Sequence, residues 1–317
     1  MAARALPVID LDGAATPAAA APRIAAEMHA ACTRWGFFYI ANHGVDPALQ
    51  ARVFDEARAL FALPLEAKLA VALAKSPARR GYEPLEGQSL DPATPPDLKE
   101  GFFVGREIAA DDPRTLAGRF AHGPNQWPAG LPAFRPVMET YYGVMLALTT
   151  RLLALLARSL GLDERTFEPY LVEPIANLRL LHYPPQPPSA ATRQKGAGAH
   201  TDFGSTTILM QDDNPGLQVE DADTGRWIDA PPIPGTYVVN MGDMLARWTN
   251  DRYRSALHRV VNLTGRDRYT VPFFMTGNPD HVVACLAGCT APGEAPRYPA
   301  VTVEEHFREM YRRTYGR

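Results

Sequence analysis

The sequence predicts a mainly β protein with flanking helices, and three observations predict it. Beyond Ile175 the chain falls into short β-like runs separated by turn residues, at 177–183, 205–211, 217–220, 236–240, 258–262, 269–274 and 282–286. That texture belongs to a sandwich, a barrel or a jelly roll. Ahead of it, helical patterns recur up to Leu160, and neither an internal repeat nor a linker separates the two regions. With 317 residues, 46% of them hydrophobic, the chain is long enough for helices and loops to wrap one large core.

In chain order, an apolar patch at 6–11 precedes a helical pattern over 21–35 that Gly36 closes. A strand over 37–41 and a helix over 47–63, ended by Pro64, come next. Between 76 and 112 the prolines and glycines Pro77, Gly81, Pro84, Gly87, Pro92, Pro95 and Pro96 leave little periodicity. This reads as a long loop with one strand at 101–104, and such loops commonly act as lids or binding loops. A helix of unusual length follows over 133–160 and stops at Gly161, with an apolar stripe expected to lie on a sheet. Its most apolar stretch, 144–162, contains Arg151 and Arg158, costly in a bilayer, so it reads as a core helix. The capping box Thr302-Val303-Glu304-Glu305 opens a last helix that runs to about Arg313. The expected organisation is an N-terminal α/β region, residues 1–120, packed on a catalytic core of residues 121–317, the two forming one compact unit.

Charge and cysteine usage narrow the partners. Lys plus Arg is 32 against 35 Asp plus Glu, a net charge of −3, and no long basic run occurs. The charge pattern therefore argues against nucleic acid or an anionic membrane surface as the main partner and points to a small molecule. The three cysteines, Cys32, Cys285 and Cys289, are too few for a disulfide framework, and the alanine-rich start is interrupted by Asp10 and Asp12 where an export signal needs an apolar run. A cytoplasmic location is expected.

Most of the eight histidines have ordinary explanations. His43 falls in the turn Asn42-His43-Gly44, and His29, His122, His281 and His306 have no acidic or histidine partner at metal-ligand spacing. His200 and Asp202 differ: two apart in an extended run over 196–202, they would present imidazole and carboxylate on the same face. A third ligand from a distant strand would complete a 2-His-1-carboxylate set, the arrangement that holds non-haem Fe(II) and leaves positions open for substrate and O2. His258, in the strand-like run Leu257-His258-Arg259-Val260-Val261, is the best candidate.

The next segment strengthens this reading. Arg268 and Thr270 are also two apart, on a strand expected to form a hairpin with that of His258 through Thr264-Gly265-Arg266-Asp267. An arginine buried in a barrel needs an anion, and its planar fork suits a carboxylate. On another strand Asn177, Arg179 and Tyr183 share one parity while Leu178, Leu180 and His182 share the other, which turns His182 outward to a structural role. An interior that collects this many polar groups is poorly explained as a folding core and well explained as a site for a metal and a dianionic ligand.

Taken together, His200-Thr201-Asp202, His258 after 55 intervening residues and Arg268-Tyr269-Thr270 resemble the isopenicillin N synthase-like branch of the 2-oxoglutarate/Fe(II) dioxygenases. Further fragments of the resemblance lie in order along the chain: Pro7-Val8-Ile9-Asp10-Leu11, Gly36-Phe37-Phe38-Tyr39, Asn42-His43-Gly44-Val45, Leu180 to Pro185, Gly216-Leu217-Gln218-Val219, Asn240-Met241-Gly242-Asp243 and Pro272-Phe273-Phe274. The resemblance implies a double-stranded β-helix, or jelly roll, wrapped by helices. It implies Fe(II) on His200, Asp202 and His258, and 2-oxoglutarate held at its distal carboxylate by Arg268 and Thr270 with Tyr183 adding a hydroxyl. Thr270 replaces the family's more usual Ser and keeps the hydroxyl. The implied reaction consumes O2 and 2-oxoglutarate, releases succinate and CO2, and oxidises a small organic molecule, by hydroxylation first of all, with desaturation or ring closure as variants.

Substrate choice would lie with residues around the open side of the metal, for which Arg179, Asn177, Phe203, Arg247, Tyr82 and Phe102 are the candidates. Alternative readings are an Fe(II) oxidase that dispenses with 2-oxoglutarate, an ethylene-forming type that fragments 2-oxoglutarate itself, a cupin-like hydrolase or isomerase holding another divalent ion, and a non-catalytic jelly-roll binding protein.

Overall fold

Strand β5, Ile175–Tyr183, shows how the sequence builds the molecule. Leu178 and Leu180 point to one side and join a large apolar core under the helices, while Leu181 and Tyr183 point to the other and join a smaller core between two sheets. Alternation along one strand thus separates a structural face from a functional one. The computed structural model describes residues 5–12, 20–186, 194–262, 264–291 and 293–315.

The strands of the N-terminal region are β1 (Val8–Asp10), β2 (Phe37–Ala41), β3 (Gly81–Glu83) and β4 (Glu100–Gly105). After β5 come β6 (Ala197–His200), β7 (Thr206–Gln211), β8 (Leu217–Asp221), β9 (Arg226–Asp229), β10 (Thr236–Met241), β11 (His258–Val260) and β12 (Arg268–Gly277). An eight-stranded major sheet runs β1-β2-β10-β7-β12-β5-β4-β3, and a four-stranded minor sheet runs β6-β11-β8-β9. Apart from the parallel β1–β2 pair, neighbours in both sheets are antiparallel. The fold is the jelly roll that the resemblance implied, and the N-terminal region supplies four strands of the major sheet.

Helices cover the outer face of the major sheet. Between α1 (Ala20–Arg34) and β2 the chain turns sharply at Gly36, whose φ of 64° suits a residue without Cβ and whose Cβ position would lie 2.1 Å from the Arg254 carbonyl oxygen; α2 (Pro47–Phe61) and α3 (Leu65–Ala70) follow β2. Pro64 ends α2 as expected but also opens α3, because proline is tolerated ahead of a first turn. After the single turn α4 (Pro113–Leu116), the long α5 (Phe134–Ser159) is apolar enough to cross a membrane by length and composition. It instead lays Tyr141, Met145, Leu152 and Leu156 into the core, and Arg151 donates to the His43 carbonyl at 2.6 Å. The short α6 (Asp243–Trp248) follows β10. A two-stranded ribbon, β13 (Val282–Val283) with β14 (Val301–Thr302), leads into α7 (Val303–Tyr315). The capping box there is reciprocal, with Glu305 N–H donating to Thr302 Oγ1 at 3.2 Å and Thr302 N–H to Glu305 Oε2 at 2.9 Å.

Three local expectations need correction. The loop over 76–112 contains a second strand, β3, whose three residues are too few to show a period. The short β9 and α6 likewise lie below the length at which pattern is readable. The third correction bears on the site: β11 and β12 do not form a hairpin. β11 pairs with β6 and β8 in the minor sheet, β12 with β5 and β7 in the major one, and the turn at 264–267 therefore crosses between sheets.

Candidate active site

The two sheets face each other across the smaller core, and the polar residues of the sequence meet there. His200 is the last residue of β6 and His258 the first of β11, and they are direct cross-strand partners, with ring centroids 4.2 Å apart. Asp202 lies just past the end of β6, in the turn to β7, and not in a continuous extended run. This turn is wedged tightly: a Cβ on Gly204 would lie 2.4 Å from the Met275 carbonyl oxygen, and one on Gly242 2.2 Å from that of Gly204. The chain can pass only because both positions lack a side chain.

Each ring is oriented from behind. His200 Nδ1 meets the Gly198 carbonyl at 2.8 Å and His258 Nδ1 the Ala256 carbonyl at 3.1 Å, so each Nδ1 carries the proton and each Nε2 presents a lone pair. Both Nε2 atoms face Asp202 Oδ1, at 3.8 and 3.7 Å, too long for hydrogen bonds and suited to a shared ion. One ligand atom from each residue lies within 4.8 Å of the others. Burial, followed by the neighbouring imidazole of His258, keeps His200 neutral, the form a metal needs. Burial alone would raise the Asp202 pKa, but His258, His200, Asn240 and Thr207 together outweigh it and keep the carboxylate ionised. Two imidazoles that each turn Nε2 to one point and one carboxylate on the same side of a cavity fit a divalent iron with open positions.

The second oxygen of Asp202 accepts hydrogen bonds from Thr207 Oγ1 and from Asn240 Nδ2, the latter at 2.7 Å. These two residues of the major sheet aim the carboxylate. Thr207→Val or Asn240→Ala is expected to lower Fe(II) affinity about ten- to hundredfold, the usual cost of losing a partner behind a metal ligand. Anaerobic Fe(II) titration measures this, and wild-type affinity in both variants would show that the carboxylate needs no such support.

Arg268 is fully buried, and no carboxylate lies within ion-pair distance of it among the described residues. Its Nε donates to the Asn214 carbonyl at 3.1 Å and its Nη2 to Gln211 Oε1 at 2.8 Å, while Nη1 has no partner. The guanidinium lies over the Tyr183 ring, 5.1 Å from its centroid, and Thr270 is on the same face two residues along β12. Burial lowers the arginine pKa, so an anion here would gain a strong partner and relieve a desolvated charge. Nη1 without an acceptor fits a carboxylate.

A cavity joins the two groups and is lined by His200, Asp202, His258, Arg268, Thr270 and Tyr183 with Arg179, Lys99, Phe37, Leu90, Leu181 and Phe274. Arg179, a predicted residue, is in its wall, ion-paired to Glu83, hydrogen-bonded to Gln88 Oε1 at 3.2 Å and 4.4 Å from the Phe103 centroid. Lys99, ion-paired to Asp97, was not foreseen, and Asp97 in turn accepts the Gly198 N–H at 2.9 Å on the strand of His200. Burial, partly offset by Asp97, lowers the Lys99 pKa to about 8.

Five predicted residues lie elsewhere. Phe102 and Tyr82 point outward, Phe102 edge-on to Phe134 at 5.3 Å and Tyr82 donating to Glu100 Oε2 at 2.6 Å, because the inner parity of β4 belongs to Gly101 and Phe103. Phe203 turns to Phe307 and Tyr311 of α7, with centroids 6.3 Å away in both cases. Arg247 donates to the Pro299 carbonyl at 2.7 Å. Asn177 keeps the inner parity but sits beyond the cavity, as acceptor for the buried Arg80 at 2.9 Å. The missed pair Asp97 and Lys99 lies ahead of β4, which begins at Glu100, so strand parity did not reach either residue. Thr207 carried no signal of its own, and Asn240 stood only in the fragment Asn240-Met241-Gly242-Asp243, with no role read for it.

Residues 174–277 match the family described as the 2OG-Fe(II) oxygenase superfamily, and residues 6–130 the family described as non-haem dioxygenase in morphine synthesis N-terminal. The chain belongs to the 2OG-Fe(II) oxygenase superfamily. The 2-oxoglutarate-Fe(II) type oxidoreductase hxnY of Emericella nidulans is 45% identical, with 100% of this chain and 92% of that protein covered. The 2-oxoglutarate-dependent dioxygenase citB of Monascus ruber is 43% identical over 94% of this chain and 91% of its own length. Among solved structures, a full-length Neurospora crassa protein in complex with alpha-KG superposes with a TM-score of 0.87 at 31% identity, covering 98% of this chain and 96% of that one. The same Neurospora crassa protein has also been solved with alpha-KG and thymine. This 2OG-Fe(II) oxygenase is accordingly a 2-oxoglutarate-dependent dioxygenase acting on a small molecule, with Fe(II), 2-oxoglutarate and O2 as its cofactor and reactants.

Proposed function

We propose that the protein hydroxylates a compact organic molecule, with His200, Asp202 and His258 as the iron ligands and with Arg268, Thr270 and Tyr183 receiving the distal carboxylate of 2-oxoglutarate. The observation that carries this reading is the pairing, in one cavity, of three convergent ligand atoms with a buried arginine whose Nη1 lacks an acceptor. When bound, Fe(II) supplies the redox chemistry with O2 that couples 2-oxoglutarate decarboxylation to substrate oxidation. The chain's own work is placement. The two Nδ1–H bonds fix the imidazoles, Thr207 and Asn240 fix the carboxylate, and Arg268 neutralises the far end of the co-substrate.

The remaining wall sets the substrate. Phe37, Leu90, Leu181 and Phe274 are apolar, while the Arg179–Glu83 and Lys99–Asp97 pairs supply a polar edge. This favours a small ring with a hydrogen-bonding edge, a kind of molecule consistent with the thymine complex of the similar Neurospora crassa protein. Free Cys32, Cys285 and Cys289 support a reducing, cytoplasmic setting.

The decisive experiment is anaerobic titration with Fe(II) and 2-oxoglutarate, followed in the visible for the charge-transfer band of the chelate, then admission of O2 and assay of succinate. A band that decays with succinate release establishes the reaction; iron binding without a band would favour an oxidase. Tyr183→Phe is expected to weaken 2-oxoglutarate binding about fivefold, the worth of one hydrogen bond, and wild-type affinity would show that the hydroxyl does not reach the carboxylate.

A further inference from the structure

His182 sits on the outer face of β5, directly behind the cavity and outside it. Its Nδ1 is 2.7 Å from Glu100 Oε1 on β4, and its Nε2 is 2.6 Å from Asp267 Oδ1 on the turn before β12. The ring stacks on Tyr269 with centroids 4.7 Å apart and planes 13° from parallel. In the register, Tyr183 pairs with Arg268 and His182 with Tyr269, so two of the three residues assigned to 2-oxoglutarate form the first rung of the β5–β12 ladder. Past that rung both strands end. Terminal rungs fray unless something ties them, and here the tie is an imidazole bridging two carboxylates on different elements.

Building on the co-substrate assignment above, we propose that His182 is a positioning residue for 2-oxoglutarate: its imidazole straps Asp267 to Glu100 and so holds Arg268 and Tyr183 at the co-substrate's carboxylate.

A ring with a carboxylate at each nitrogen makes both hydrogen bonds as donor only when it is protonated. Burial works against the imidazolium, but Glu100 and Asp267 outweigh it and raise the His182 pKa above the ordinary histidine value. The strap is therefore complete below the ordinary histidine pKa and loses one of its two N–H donors as pH rises through the raised one. The other groups around it are Lys68 and Tyr82, which donate to Glu100 Oε2 at 2.7 and 2.6 Å, Phe61 at 5.5 Å, and Arg58 over the far ring of Tyr269 at 5.6 Å.

The test is calorimetric titration of 2-oxoglutarate into the Mn(II)-loaded full chain between pH 6.5 and 9, for wild type, His182→Gln and Asp267→Asn. Wild-type affinity is expected to fall about fivefold on going from the lower to the higher pH, as one charge-assisted contact is lost. His182→Gln is expected to bind about fivefold more weakly at pH 6.5 and to converge on wild type at high pH, with Mn(II) affinity in the absence of 2-oxoglutarate unchanged. Lys99 also titrates in this range, but it is common to all three proteins and cancels in their ratio. Asp267→Asn changes a half-exposed turn residue, serves if His182→Gln does not fold, and is expected to flatten the profile in the same direction. Superimposable profiles for wild type and variant would overturn the proposal alone, whereas a wild-type protein that takes up no 2-oxoglutarate would overturn the co-substrate assignment beneath it.

Discussion

Asp202→Ala and His200→Ala are each expected to abolish stoichiometric Fe(II) binding and to reduce succinate release by more than about a hundredfold, beyond the loss typical of removing only an outer partner of a metal ligand. The reason is geometric. The set contains three ligand atoms within 4.8 Å, and removing one leaves two, with the lone pair of at least one Nε2 still facing the gap. Asp202 is expected to be the worse loss, because it brings the negative charge and is the residue tied to Thr207 and Asn240 on the major sheet. Equilibrium dialysis under argon reads metal content, and succinate assay reads turnover. Full activity in either variant would remove that residue from the ligand set.

Arg268→Ala is expected to retain iron and to weaken 2-oxoglutarate binding by about thirtyfold or more, since truncating one partner of a buried charge pair typically costs about 2–5 kcal/mol. The two kinds of variant should therefore part company: one loses the metal, the other keeps it and needs more co-substrate. The free protein is also informative. Arg268 is desolvated with no carboxylate beside it among the described residues, so its removal is expected to harm the unloaded fold less than the loaded complex. Calorimetry with Mn(II)-loaded protein measures the affinity, and unaltered binding would place the co-substrate's carboxylate elsewhere.

Much of this site was legible in the sequence because strand parity is a local property. His200, His258, Arg268, Thr270, Arg179 and Tyr183 all converge on the cavity, and His182 was rightly placed outside it. Local patterns also located most of the strands and the long helix. What did not show was anything decided by which strand lies beside which. The turn at 264–267 reads as a hairpin in sequence, yet it crosses between sheets, because the partners of β11 are β6 and β8, both distant along the chain. Phe102 lies on the strand expected at 101–104, but which face of that strand meets the cavity depends on its pairing with β5, and that pairing sends Phe102 to Phe134. The roles of Thr207 and Asn240 were unreadable for a related reason: each is an ordinary strand residue whose role exists only through Asp202.

That crossing has a further consequence. Both histidines belong to the minor sheet, while the carboxylate between them is fastened to the major one, so an ion at this site would act as a rivet through the seam of the jelly roll. Its binding free energy would also be free energy of closing that seam, by the same linkage that makes metal affinity and folding inseparable in smaller metalloproteins. Breathing of the two sheets and loss of the ion would then be one equilibrium seen from two sides. Any cargo that wedges the sheets apart would drain the metal, and any that presses them together would retain it.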